Sequence, residues 1–218
     1  VEHGVKLLEE GAHILDIGGE STRPGAQSVD IKEEIDRVIP VIAELKKYTS
    51  HISIDTRNAE TMKAALDAGA TGINDISGLR YDVQSIKVAK EAQVPVFLMH
   101  MQGTPFDMQE KPIYNNVIDD ICQYFKEHLL ICKTAGIDMN NIILDPGIGF
   151  GKSLEHNLLL LGNISTFSSL GCPLLLVTSR KSVISMASEG EEEDERLGGT
   201  LTSCVWGGAQ GVMLLRWE

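Results

Sequence analysis

Asp55, Asn74 and Asp145 each close a short run rich in Ile, Leu and Val, and together they suit one kind of recognition. A carboxylate can accept two parallel N–H bonds from an aminopyrimidine edge, while the Asn amide both donates and accepts. That combination fits a flat, amide-like heterocycle. An Asp at the end of a strand also caps the helix that follows, so each residue alone is ambiguous. Three at corresponding places make capping an incomplete account.

Two further stretches carry oxyanion chemistry. Gly18-Gly19-Glu20-Ser21-Thr22-Arg23-Pro24-Gly25 joins two hydroxyls and a guanidinium to glycines that let backbone N–H groups approach a ligand. Its Gly and Pro content would equally suit an ordinary connecting loop. Thr178-Ser179-Arg180-Lys181-Ser182 sets two adjacent cations and hydroxyls at an expected helix start. Side chains and helix N-terminus bind anions together at such a place. A plain basic loop is the alternative.

Asp145-Pro146-Gly147-Ile148-Gly149-Phe150-Gly151-Lys152-Ser153 nearly matches the G-x-x-x-x-G-K-[ST] phosphate loop. The first glycine should stand at 146, where Pro146 lacks the N–H of the cradle and fixes φ. A P-loop nucleotide-binding protein is therefore the rival from another mechanistic class. The acidic run 189–195, interrupted by Gly190, reads as a solvated loop rather than a metal site. His100 reads either as a pocket residue or as a satisfied core histidine, and Met99 with Met101 as core.

These residues need a scaffold that gathers them. Strands are expected at 13–17, 52–55, 72–76, 94–100, 141–145, 173–178 and 211–216. Helices are expected at 1–10, 31–47, 59–68, 83–92 and 115–135, several of them ending at Gly11, Gly69 or Gly136 with φ > 0. Alternation of this kind implies a parallel sheet with helical crossovers. Asp16, Asp55, Asn74-Asp75, His100, Asp145, Ser179-Arg180-Lys181 and Arg216 all fall at or near strand carboxyl ends. A barrel places its chemistry on that face, whereas a doubly wound sheet would gather only a few of them. Seven strands are one short of the eight in a barrel of roughly 250 residues. The chain opens with a helix, so the missing strand would precede it. Val1 is accordingly read as a fragment edge.

The 218 residues are enough for one domain, expected to be a single (β/α) barrel over 1–218. Apolar residues make up 43% and charged residues 23%, which argues against disorder. A formal charge of −12 opposes nonspecific nucleic-acid binding and obliges an anionic substrate to find a local positive site. No apolar run is long enough to span a bilayer. The four cysteines show neither C-x-x-C nor metal spacing and read as reduced thiols in a cytoplasmic protein.

Taken together, Leu15-Asp16-Ile17-Gly18-Gly19-Glu20-Ser21-Thr22-Arg23-Pro24-Gly25, Ser53-Ile54-Asp55-Thr56, Ile73-Asn74-Asp75-Ile76, the 145–152 run and Ser179-Arg180-Lys181-Ser182 resemble the dihydropteroate synthases. The match keeps its order over nearly the whole chain. The resemblance implies a TIM-type (β/α)8 barrel, here lacking the first strand and the last helix, and a homodimer. It implies condensation of dihydropterin-6-ylmethyl diphosphate with para-aminobenzoate, with release of diphosphate and Mg²⁺ assisting. Asp55, Asn74, Asp145 and Lys181 would hold the pterin, Asp145 and Lys181 being the catalytic groups. Ile76, Met99 and Phe150 would line the pterin slot, and Thr22, Arg23 and Arg216 would meet the diphosphate. Thr22, Pro24 and Ser182 would border the aminobenzoate subsite, which also receives sulfonamides.

The family's metal-binding Asn lies on its first strand, so no metal ligand is expected within this chain. Val177 stands where the family usually has Gly, and Arg216-Trp217-Glu218 where it usually ends Arg-x-His. A pterin-binding methyltransferase domain is the second reading. It would share the barrel and the Asp/Asn grip without needing Ser21-Thr22-Arg23-Pro24 or Ser179-Arg180-Lys181.

Overall fold

Helix α1 (Glu2–Glu9) leads into strand β1 (Leu15–Gly18), and among the described residues one or more helices then separate each strand from the next. The computed structural model describes every residue except Pro24, Arg180, residues 188–195 and Glu218, and omits the Ser182 side chain. It divides into two compact units, Val1–Leu98 with Ile131–Ile142 and Met99–Leu130 with Ile143–Glu218.

In the first unit, Asp30 starts α2 (Ile31–Leu45) by accepting the Lys32 N–H at 2.9 Å. The helix runs through Pro40, whose missing N–H forgoes one ladder bond. Val38, Ile42 and Leu45 bury one face of it. Strand β2 (Ile52–Asp55) pairs parallel with β1, and β3 (Gly72–Asp75) pairs parallel with β2. Between them, α3 (Ala59–Ala68) ends at Gly69, where φ is +123°. Helix α4 (Ser85–Ala92) then leads to β4 (Val96–Met99), again parallel to β3. Strands β3 and β4 are buried along their whole length, as expected of parallel strands covered on both faces.

Helix α5 (Val117–Ala135) and a 3-10 turn precede β5 (Ile142–Asp145). In the second unit, the His100 N–H donates to the Asp145 carbonyl at 3.0 Å, and Leu144 bridges in parallel to Leu174. Helix α6 (Leu154–Gly162) opens with a capping box between Ser153 and His156. Strand β6 (Leu175–Val177) is followed by α7 (Ser182–Ala187) and α8 (Leu197–Ala209), and β7 (Leu214–Arg216) pairs parallel with β6.

Every expected strand is present, but β4, β6 and β7 are shorter than the apolar runs that announced them. Pro95 and Pro173 lack an N–H for the ladder, and Gly211, at φ +89°, lies in a turn. Gly11 and Gly136 also take positive φ, as expected. The four cysteines, all described, form no disulfide. Among the described residues, no helix is long and apolar enough to cross a membrane.

Candidate active site

Register decides what the first unit presents. Asp55 stands opposite Asn74, and Asp16 opposite Ser53, on neighbouring parallel strands. Side chains alternate along a strand. Asp16, Ser53, Asp55 and Asn74 therefore share one sheet face. Asp16 accepts the Ser53 hydroxyl at 2.6 Å and the Asn74 amide N–H at 2.8 Å. A carboxylate only accepts, so the Asn74 NH₂ faces Asp16 and its Oδ1 is left as an acceptor. Asn74 is 6% exposed and Ile76 is buried.

The loop after β1 is tied at its base. Glu20 accepts the Val29 N–H at 2.9 Å and two contacts from Arg57, Nη2 at 3.1 Å and Nε at 3.0 Å. Arg57 also lies 4.2 Å from the Tyr81 ring centroid. Thr22 and Arg23 ride on this loop, with Arg23 exposed. Beneath it, the buried Glu34 of α2 accepts from the Thr56 and Thr61 hydroxyls and the Asn58 amide at 2.6–2.9 Å. That carboxylate fixes the chain just past Asp55.

The second unit gathers Asp145, Phe150, Lys181 and Arg216. Asp145 is 4% exposed and accepts the Gly147 N–H at 2.7 Å. Burial pushes its carboxyl up, against the charges of Lys181, Lys152 and Arg216, which pull it down. Lys181 donates to the Ile148 carbonyl at 2.5 Å and its ammonium lies 4.6 Å from the Phe150 ring centroid. Val177 is the register partner of Arg216. Met99 and Met101 are core residues, 3% and 5% exposed. Pro24, Arg180, the Ser182 side chain and the whole acidic run 189–195 lie outside the described residues.

Lys152 is not a phosphate-loop lysine. It is 2% exposed, and its ammonium donates inward to the Gly147, Phe150 and His100 carbonyls. His100 is a core histidine whose Nδ1 lies 3.1 Å from that ammonium. Sequence reasoning placed Asp16 among the groups at strand ends without a partner, met Lys152 only as the lysine of the phosphate-loop rival, and did not single out Arg57. The face of Asp16 was not readable from the expected strand 13–17, and follows from its register opposite Ser53 in β1. Among the described residues, no three His, Cys, Asp or Glu side chains are grouped to hold a metal ion.

Comparison with known proteins bears on both halves of this picture. The family of pterin binding enzymes matches residues 1–218. The dihydropteroate synthase of Escherichia coli K12 is 42% identical over 218 residues, covering 99% of this chain and 76% of its own. The Yersinia pestis dihydropteroate synthase, solved in complex with a sulfonamide drug, aligns with TM-score 0.95 at 40% identity, covering 99% of this chain and 78% of that one. The Xanthomonas albilineans dihydropteroate synthase with 4-aminobenzoic acid aligns with TM-score 0.93 at 40% identity, covering 99% and 77%. The alternation of parallel strands and helices is thus that of a (β/α)8 barrel.

Proposed function

We infer the reaction from descent and chemistry together: this chain belongs to the pterin-binding enzyme family, and its activity is that of a dihydropteroate synthase. It joins 7,8-dihydropterin-6-ylmethyl diphosphate to para-aminobenzoate in the folate pathway, giving 7,8-dihydropteroate and diphosphate. The C–O bond to diphosphate breaks and a C–N bond to the aniline nitrogen forms, with loss of that nitrogen's proton. No protein nucleophile is needed.

The observation that carries the assignment of roles is Asp145, a buried carboxylate under the charges of Lys181, Lys152 and Arg216. Asp145 receives the paired N–H groups of the pterin, and Lys181 stabilises the ring as charge shifts. Asp55 and Asn74 complete the grip, the Asn74 Oδ1 acting as an acceptor. Ile76, Met99 and Phe150 line the ring. Arg23 and Arg216, with Thr22, offset the charge that develops on departing diphosphate. Thr22, Pro24 and Ser182 border the aminobenzoate, where sulfonamides also bind.

Mg²⁺, when bound, would add to Thr22, Arg23 and Arg216 in offsetting the charge on the diphosphate. Mg²⁺ commonly keeps several waters and binds through phosphates in this way. The protein acts in the cytoplasm as a homodimer and as one barrel domain. The exposed Leu158, Leu159, Leu201, Val205 and Trp206 of α6 and α8 supply apolar surface for pairing.

Calorimetry on Asp145→Asn tests the central role. Pterin binding should weaken by about 1.5–3 kcal/mol, the usual contribution of a hydrogen bond to a charged group. Aminobenzoate binding should change little. Equal losses for the two ligands would overturn the role given to Asp145.

A further inference from the structure

The Gly-rich loop between β5 and α6 should be one of the least ordered parts of the second unit. Gly147, Gly149 and Gly151 take φ of +69°, +83° and +59°, and glycine has the most backbone freedom to lose. Yet all five consecutive carbonyls from 147 to 151 accept a side-chain hydrogen bond. Lys152 Nζ takes Gly147 at 2.9 Å and Phe150 at 2.8 Å. Lys181 takes Ile148, Gln109 Nε2 takes Gly149 at 2.6 Å, and the Tyr114 hydroxyl takes Gly151 at 2.8 Å.

Lys152 is the inner member of this set. Besides its two loop carbonyls it meets the His100 carbonyl at 3.2 Å and His100 Nδ1 at 3.1 Å, so it fastens the loop to the chain leaving β4. Three carbonyl oxygens and a ring nitrogen suit an ammonium with its three N–H donors. A neutral amine would have only two N–H donors for those three carbonyls. Gln109 and Tyr114 hold the loop from outside, both from the segment between β4 and α5.

We propose that Lys152, Gln109 and Tyr114 are positioning residues for the pterin site, holding the 147–151 loop in the one form that presents Phe150 and Lys181 together. None of the three is assigned a contact with substrate. They act through the loop: Lys181 reaches the Ile148 carbonyl and the Phe150 ring only while that stretch keeps its turns. The near-match to a phosphate loop thereby has a different use, with carbonyls pointing at a captive lysine instead of N–H groups pointing at an anion. The inference rests on the pterin reading above.

The test compares Lys152→Met, Gln109→Ala and Tyr114→Phe with wild type in the full chain. Dihydropterin affinity is read by calorimetry, KM for both substrates and kcat by turnover, and folding by thermal melting. The expected result is a loss of pterin affinity of about tenfold in Lys152→Met and about threefold in each of the other two, as for single hydrogen bonds. KM for para-aminobenzoate should stay within about twofold. A purely structural staple would instead lower the melting temperature and leave both substrates equally affected, which would overturn the proposal. Should Lys152→Met fail to fold, Gln109→Ala and Tyr114→Phe decide: unchanged pterin affinity in both overturns it. Wild type that binds no pterin would overturn the functional reading itself, whereas binding wild type with unaffected variants removes this inference alone.

Discussion

Asp16 of β1 and Asn74 of β3 are hydrogen-bonded side chain to side chain across the intervening strand, 2.8 Å from Oδ2 to Nδ2, with Ser53 of β2 on the other carboxylate oxygen. This fixes which way the Asn74 amide faces. Asp16→Asn would keep the size but let both amides flip. Dihydropterin affinity should fall by about tenfold, since a hydrogen bond to a charged group contributes roughly 1.5–3 kcal/mol. Asp16→Asn with undiminished pterin binding would show that the orientation of Asn74 is immaterial.

The Glu20–Arg57 pair is nearly buried, with side chains 9% and 13% exposed. Its Nε contact is within ion-pair distance but is not aligned as a hydrogen bond, so charge and the Nη2 bond hold it. Removing one partner leaves the other charge stranded, at a cost of about 3–5 kcal/mol. Arg57→Met should therefore destabilise strongly, and Glu20→Gln added to it should recover part of the loss. A double-mutant cycle with urea unfolding measures the coupling. Strictly additive effects would mean that the two residues do not act as a pair.

Much of this was readable from residue order. Asp55, Asn74 and Asp145 were recognisable because they stand at the close of apolar runs; Asp55 and Asp145 do end their strands, and Asn74 is the penultimate residue of β3. What joins them was less readable. The Asp16–Asn74 bond spans 58 positions and exists only because the register sets β1, β2 and β3 side by side. The role of Lys152 was hidden for a different reason. Its motif implied an outward lysine, and only the turns at Gly147, Gly149 and Gly151 direct the carbonyls inward. Pro95 and Pro173 trimmed strands that hydrophobicity alone would have extended.

Asp75 gives stability a pH dependence. Burial pushes its carboxyl up to about 6, despite N–H bonds from Ser77 at 2.7 Å and Leu79 at 3.0 Å. A raised folded-state value means the native protein binds the proton more tightly than the unfolded chain does. The stabilisation is full below the ordinary carboxylate range of about 4 and is lost as pH rises through about 6. Relative to Asp75→Asn, wild type should lose roughly 3 kcal/mol across that window, at 1.36 kcal/mol per unit. Urea unfolding of both proteins at several pH values between about 4 and 7.5 measures this. A pH-independent difference would contradict it.

Gly147 and Gly171 separate backbone strain from steric collision. Both have positive φ, +69° and +79°. A Cβ on Gly171 would meet nothing within 4 Å, so Gly171→Ala should cost only the left-handed penalty, about 1–2 kcal/mol. A Cβ on Gly147 would lie 2.1 Å from the His100 carbonyl oxygen, a backbone atom in the Asp145–His100 ladder that cannot swing aside. The same carbonyl accepts from Lys152. Gly147→Ala must therefore displace the end of β4 or the loop that begins at Asp145, and either movement loosens the Lys152 cage. We expect a loss of about 4 kcal/mol or more, in the range reserved for disrupted cores and strained backbones. Pterin affinity should fall with it, while Gly171→Ala should bind normally. Denaturant unfolding and calorimetry on the two variants check both halves. If Gly147→Ala were no worse than Gly171→Ala, the close packing of the loop against His100 would be wrong.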